Sequence, residues 1–390
     1  MSSKVAQKYA ILQPLTFDEI KGWDEDNHLE ALHALKWSAK RTTKKPYKTK
    51  ELGIDGAQLT KTLEKLLEED CPYFENQKCA KTFFEDNFTP HLITSPDATN
   101  IKDENAYHGF VTAYFEPEVE ASTVQTERFK FPILKCPTDL VAITDEERPS
   151  TMGEEFYFAR KTTTPNGVEF STFPNRHAIE NGALEGQDLE IFWFESKVDI
   201  FFIHIQGSAR LRLVDCEQAG QIARISYDGK SGHAFTPIGR ILIERNEIAR
   251  EDITMQSIRD WLFAHPHDAD ALMYENESFI FFQIVEHPAP NQKELGPVAA
   301  AGVPLSPLRS LAVDHRLQTF GVPIFISTQT PIGQDEQNFQ KLMVAQDTGS
   351  AIVGAARGDI FIGTGKHAED IAGAVKHPAH FIVLLPNGQL

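Results

Sequence analysis

Two aspartates, Asp347 and Asp359, stand twelve residues apart in QDTGSAIVGAARGDIF (346–361), a stretch whose only other charged residue is Arg357. A carboxyl among apolar neighbours is poorly hydrated, so it holds its proton to higher pH. Such a group can serve as a general acid near neutrality. Aspartate is also common at strand ends, where its side chain bonds nearby backbone in turns, and residue types alone leave both readings open. Asp-Thr-Gly occurs in aspartic proteases, but that chemistry needs two such loops. This chain has one, and Gln346 stands where those proteases favour an apolar residue.

Two further stretches hold groups suited to a neutral polar ligand. In HIQGSARLRL (204–213) an apolar run, expected to be a strand, leads into Gln206, Gly207 and Ser208. An amide and a hydroxyl presented by a glycine turn suit sugar hydroxyl or acetamido groups, but taken alone the stretch reads as an ordinary strand end. In GFVTAYFEPEVEAS (109–122), Tyr114, Phe115 and Pro117 lie close together; an aromatic edge near a polar groove stacks on sugar rings, and a plain β-core segment is the other reading. YDGKSGHAFTPIGR (227–240) lacks the phosphate-loop spacing, and His233 reads as a loop residue. H-E-x-x-H, G-x-S-x-G and C-x-x-C are absent, so neither metal nor cofactor is expected. Cys71, Cys79, Cys136 and Cys216 read as incidental thiols, with Cys71 and Cys79 near enough in sequence for a local disulfide.

The elements that must position these groups change along the chain. The first hundred residues read as helical: Ile20, Trp23, Leu29, Leu32, Leu35 and Trp37 recur at helical spacing, as do Leu59, Leu63, Leu66 and Leu67. AKTFFEDNFTP predicts a third helix ended by Pro90. From about residue 109 the texture is β-branched and aromatic, and DLEIFWFESKVDIFFIHIQGSARLRLVD is the most strand-like run. One helix, around TMQSIRDWLFAHP, is expected to interrupt it. SPLRSLAVD reads as a helical start or a loop. GVPIFIST, KLMVAQDTG, GDIFIGTG and HFIVLLP read as strands, with a short helix in GTGKHAEDIAGAV. Short strands with frequent turns suggest barrels over a parallel α/β sheet. NQKELGPVAAAG is the most linker-like segment.

At 390 residues the chain has room for two domains. A net charge of −18 argues against nucleic acid and against an anionic membrane surface. MSSKVAQKYAILQPLTFDEIKGW has no apolar run of signal-peptide length and no cysteine near its start, and no later run approaches a membrane span.

In order, GFVTAYFEPEVEAS, HIQGSARLRL, YDGKSGHAFTPIGRILIERNEI, NESFIFFQ, GVPLSPLRSLAVDHR and MVAQDTGSAIVGAARGDIFIGTG closely resemble the membrane-bound lytic murein transglycosylase A family. The resemblance covers roughly 107–390, and GWDEDNHLEALHALKWS also shares it. It implies an α+β fold, mainly β with N-terminal helices. A double-psi β-barrel and an inserted smaller β-barrel would hold a glycan groove between them. The implied segments are 1–113 (helical part), 114–282 (insert) and 283–390 (three-aspartate barrel). The implied activity is cleavage of the β-1,4 bond between N-acetylmuramic acid and N-acetylglucosamine, leaving a 1,6-anhydromuramyl product without adding water. On the matching motifs Asp359 is the catalytic acid, Asp347 and Asp314 are supporting carboxylates, and Thr112, Tyr114, Gln206, Gly207 and Ser208 bind the glycan. Ala113, Phe115 and Gly358 depart from the usual family residues but leave the aspartates intact. The expected partner is the peptidoglycan strand, with room for a wall-remodelling complex, and the expected state is a monomer. The resemblance places the protein in the periplasm or on the periplasmic face of the outer membrane. A hydrolase or a non-catalytic, expansin-like glycan binder on the same barrel is the alternative.

Overall fold

The computed structural model describes residues 9–96, 108–154, 156–165, 167–214, 217, 219–286, 294–329, 332, 338–349 and 351–388. The chain divides into two compact units, residues 1–115 with 287–390, and 116–286. Cys216 and the start of the linker-like segment lie outside the described residues.

Elements are numbered along the whole chain. The first unit holds helices α1 (His28–Thr42), α2 (Gly56–Glu64), α3 (Gln77–Asn87) and α9 (Lys366–Ala372). Its strands are β1 (Ile11–Pro14), β2 (Phe88–Thr94), β3 (Gly109–Glu116), β13 (Ser310–Val313), β14 (Pro323–Thr328), β15 (Phe339–Asp347), β16 (Arg357–Thr364) and β17 (Lys376–Pro386). They pair in the order β1-β2-β17-β14-β15-β13-β16-β3, and β17 also pairs with β3. Six strands, β17, β14, β15, β13, β16 and β3, therefore form a closed circuit of pairing. All four residues of β13 are buried, and β14 and β15 are mostly so. Such strands read as continuous apolar runs.

Helix α1 buries Ala31, Leu32, Ala34, Leu35, Ser38, Ala39 and Thr42 along one face. Glu30 in its first turn and Lys40 and Arg41 in its last suit the helix dipole. It begins at His28; the expected earlier start is a short 3₁₀ turn, Phe17–Glu19, and Ile20 and Trp23 are buried without joining a helix. Helix α3 ends at Asn87, and Pro90 lies inside β2. Asn87 caps its own helix by donating to the Phe83 carbonyl at 2.8 Å. Pro90 accepts from Leu15 N–H at 2.9 Å where the short β1 ends, so its missing donor breaks no continuing ladder. SLAV is neither helix nor loop but strand β13, held between β15 and β16.

The second unit contains β4 (Glu118–Ala121), β5 (Phe131–Leu134), β6 (Leu140–Ala142), β7 (Phe158–Thr164), β8 (Gly167–Ser171), β9 (Glu190–Phe194), β10 (Ser208–Leu213), β11 (Ile222–Lys230) and β12 (Ile280–Ile284). They form a four-stranded sheet, β12-β11-β10-β4, a pair, β5-β9, and a three-stranded sheet, β6-β7-β8. Its helices are α4 (Arg176–Ala178), which runs into a π-turn, α5 (Lys197–Gln206), α6 (Ile238–Glu244), α7 (Met255–Ala264) and α8 (Pro266–Tyr274). Helices are thus more frequent in this unit than the single one expected.

The clearest departure is α5: residues 197–206, expected as strand, are helical. Ser196 caps the start by accepting from Asp199 N–H, and Gly207 closes the end at φ 75°, donating its N–H to Ile203 O. Val198, Ile200, Phe201, Phe202 and Ile203 are all buried, against two separate clusters. A helix buried on several sides shows no polar face, so its sequence mimics a buried strand.

Candidate active site

Strand β13 places the two aspartates. Against β16 it pairs Ala312 with Asp359, and against β15, in parallel, Ala312 with Asp347. The parallel register runs Ser310–Val344, Leu311–Ala345, then Ala312–Asp347, with a bulge at Gln346. Regular alternation would have set Gln346 opposite Ala312 and turned Asp347 to the other face. The extra residue re-aims it, so both carboxylates flank one alanine on one face. Gln346 itself is fully buried on the other side. It donates to Ala34 O and Ser38 Oγ, both at 2.9 Å, and accepts from Ser310 Oγ at 2.6 Å. The bulge is therefore held by α1.

A second pair of residues reaches the acids from β3. Thr112 and Tyr114, two apart and so on one face, bond to Asp359 and Asp347 respectively. Thr112 Oγ1 donates to Asp359 Oδ1 at 2.5 Å, and Tyr114 Oη donates to Asp347 Oδ2 at 2.7 Å. Ala300 N–H donates to the other oxygen of Asp347 at 3.3 Å. Arg357 Nη2 donates to Thr112 Oγ1 at 2.8 Å, and Nη1 to the carbonyl of Gly358. The Tyr114 ring lies 5.4 Å from that of Phe361.

Electrostatics separate the three aspartates. Burial drives the Asp359 carboxyl up to about 6, against opposition from the Thr112 hydroxyl and the Arg357 charge and with help from the charge of Asp347. Its surface is only partly covered, so the group stays reachable while poorly hydrated. Asp347 is also raised by burial, though Tyr114 and the backbone N–H groups of Thr348 and Ala300 hold it back. Burial and the two carboxylates push the Tyr114 phenol well above its usual range. For Asp314 burial acts upward, but the Arg316 guanidinium and the N–H groups of Gly354 and Arg316 outweigh it and leave the carboxyl low. Asp314 is 2% exposed and takes Arg316 Nη2 at 2.8 Å and Gly354 N–H at 3.0 Å. It ties down the loop that leads into β16 and stays ionised.

The structure thus brings together Thr112, Tyr114, Asp347 and Asp359, with Asp314 anchoring their loop. Gln206, Gly207 and Ser208 belong to the other unit. There Gln206 ends α5 and touches Met255 Sδ at 3.5 Å, Gly207 is the left-handed cap, and Ser208 is buried opposite Ser226. The glycine turn exists, but a helix delivers it. Sequence reading missed three contributors. Arg357 was visible as the lone cation in the segment. Ala312, whose single methyl separates the acids, and the Ala300 N–H left no such signal.

This arrangement can be set against known proteins. Residues 110–283 match the model of the MltA specific insert domain and residues 309–385 that of the 3D domain. The crystal structure of a membrane-bound lytic murein transglycosylase from Agrobacterium tumefaciens superposes with a TM-score of 0.83 at 40% identity, covering 96% of this chain and 97% of that one. The chain belongs to the membrane-bound lytic murein transglycosylase A family. Membrane-bound lytic murein transglycosylase A of Vibrio cholerae is 33% identical over 211 residues, 52% of this chain and 54% of that protein, so the match spans about half of the relative's length. The Escherichia coli MltA crystal structure with bound chitohexaose shares the fold, with a TM-score of 0.62 at 21% identity, covering 97% of this chain and 91% of that one. The 3D-domain match contains Asp314, Asp347 and Asp359, and the insert-domain match contains Gln206, Gly207 and Ser208. Among the described residues no helix is long and apolar enough to cross a membrane.

Proposed function

We propose that this protein is a murein lytic transglycosylase that cleaves between N-acetylmuramic acid and N-acetylglucosamine and leaves a 1,6-anhydromuramyl end. The observation that carries this is a partly accessible Asp359 whose carboxyl is pushed up to about 6. Such a group is populated in both forms near neutral pH, as a residue that must first give and then take a proton requires. Protonated Asp359 delivers its proton to the glycosidic oxygen as the bond to C1 breaks. The muramyl C6 hydroxyl bonds to C1 and its proton returns to the Asp359 carboxylate. No water enters and the acid is regenerated. Holding the C6 hydroxyl beside C1 replaces a recruited nucleophile, an entropic gain of about 7–11 kcal/mol in favourable cases.

The other residues take supporting roles in this reading. Thr112 and Arg357 stabilise the ionised form of Asp359 that must exist midway. Tyr114 and the Ala300 N–H orient Asp347. The glycan contacts proposed for Gln206, Gly207 and Ser208 rest on the partly exposed Gln206 and Gly207; Ser208, 8% exposed, supports the turn. The chitohexaose bound by the E. coli relative supports an aminosugar strand as ligand. The closed six-strand circuit supports reading the first unit as the double-psi barrel. A bridge between Ser122 and Trp193, which links the β4 and β9 regions, supports a small barrel in the insert. The three segments 1–113, 114–282 and 283–390 follow from that reading. The protein would act as a monomer without a cofactor, in the periplasm where murein lies.

One observation favours hydrolysis as the second reading. Asp347 and Asp359 sit on strands either side of β13 and face the same side, so their Cα atoms stand two strand spacings, ~10 Å, apart, a backbone spacing that leaves room for a water between the two side chains. Inverting glycosidases hold their carboxyls roughly 6.5–9.5 Å apart with a water between. Mass spectrometry of products released from purified murein sacculi decides. Products lighter by one water than reducing muropeptides are expected, and reducing ends alone would establish hydrolysis.

A further inference from the structure

Charge is distributed unevenly in this acidic chain. Residues 31–50 carry Lys36, Lys40, Arg41, Lys44, Lys45, Lys48 and Lys50, seven of the 38 Lys and Arg, and none of the 56 Asp and Glu. The first two project from α1 into a cavity of about 380 Å³, which His33 and Trp37 also line. Aromatic faces hold both ammonium groups: Lys36 lies 4.1 Å from the Phe74 ring centre and Lys40 4.7 Å from that of Trp37. Among the described residues no carboxylate comes within ion-pair distance of either. Burial, then the charge of Lys36, pushes the His33 ring below its ordinary value, against the charge of Glu30. Among the described residues Glu294 is the one acidic residue lining the cavity, and it is exposed.

The cavity adjoins the acid's own strand. Leu295 and Ser306 form its other wall. Next to Leu295, Gly296 packs so tightly on Phe361 that an added Cβ would lie 2.2 Å from the ring. Phe361 is two residues past Asp359 on β16, about 7 Å along a strand. Behind the cavity the basic segment follows the loop that supports Asp347: Arg41 lies against Gly302, and Tyr47 Oη donates to Ala301 O at 3.0 Å. A concave basic pocket beside an aromatic face suits a compact carboxylate on a peptide better than a flat lipid surface. The glycan strand of the proposed substrate carries peptide stems that end in carboxylates. A four-residue stem reaches at most about 14 Å, about twice the strand distance that separates Asp359 from Phe361.

We propose that the Lys36–Lys40 cavity and the basic segment behind it bind the carboxylates of the murein peptide stem, so that this chain reads the stem as well as the sugar. The assignment rests on the proposed murein activity. It is tested by measuring kcat and KM on stem-bearing glycan strands and on the same strands stripped of stems by an amidase. In K36A/K40A, KM for stem-bearing strands should rise about tenfold with kcat within twofold. Values on stripped strands should stay within twofold. The control K21A/K61A, which removes two exposed lysines elsewhere, should change neither. An equal KM rise on both substrates, or none, overturns the proposal.

Titration of the isolated stem tetrapeptide, followed by NMR, reads the cavity without turnover. Binding by the unaltered protein that K36A/K40A loses supports the site, and no binding overturns it. If the unaltered protein cleaves neither strand, the transglycosylase reading fails while the titration still decides the cavity. Retention on phosphatidylglycerol vesicles, lost in K36A/K40A and unaccompanied by peptide binding, assigns the patch to a membrane and overturns the proposal.

Discussion

Replacing Thr112 by valine removes one hydroxyl and keeps the shape. That hydroxyl donates to Asp359 and accepts from Arg357, so its loss destabilises the carboxylate and leaves the neutral acid unharmed. A hydrogen bond to a charged group is worth about 1.5–3 kcal/mol, and 1.36 kcal/mol is one pK unit. The Asp359 carboxyl, at about 6 in the unaltered protein, should therefore move to roughly 7–8. At pH 7 the protonated fraction rises from about a tenth to between about a half and nine tenths. The assay is kcat/KM for murein fragments from pH 4 to 9, whose alkaline limb reports the essential acid of the free enzyme. Thr112→Val should carry that limb one to two units upward, and Thr112→Ser should restore it. An alkaline limb that stays in place or moves down refutes the claim that Thr112 sets the proton affinity of Asp359.

Removing the charge of Asp347 acts with the opposite sign. It helps raise Asp359, so Asp347→Asn should lower the alkaline limb of the same profile by less than about one unit. The raised carboxyl also costs stability. With an ordinary value of 3.8 when unfolded and about 6 when folded, Asp359 favours the folded state most below pH 4, and that contribution is lost as pH rises through 6. Asp359→Asn should therefore be more stable than the unaltered protein by up to about 3 kcal/mol at pH 7–8. The difference in urea unfolding should vanish below pH 4; a neutral or less stable variant at pH 8 contradicts it. Gly207→Ala meets open space but must adopt φ 75°. It should cost about 1–2 kcal/mol by the same method through backbone strain alone.

Sequence legibility followed how each segment is buried. The strands around the acids, β14 to β17, were readable because they are short apolar runs bounded by turns. The three aspartates, Thr112 and Tyr114 were readable through their motifs. Helix α5 was not, since packing on several sides erased the polar face that would betray its period. Pro90 read as a helix stop, but Asn87 had already ended the helix and the proline fell where β1 runs out. The bulge at Gln346 was the largest omission. A single inserted residue decides which way Asp347 points, and only the partners of the Gln346 amide on α1 reveal it. Arg357 could be noticed but not assigned, because its partner Thr112 lies 245 residues away along the chain.

Turnover of purified sacculi by Asp359→Asn, alongside its retention on the same sacculi, tests the central claim most directly. The amide keeps the side chain's size and removes the transferable proton. The expected result is loss of soluble anhydromuropeptide release by at least about a hundredfold, the usual scale of one general acid, with sacculus binding preserved. Release within tenfold of the unaltered protein would contradict the role given to Asp359.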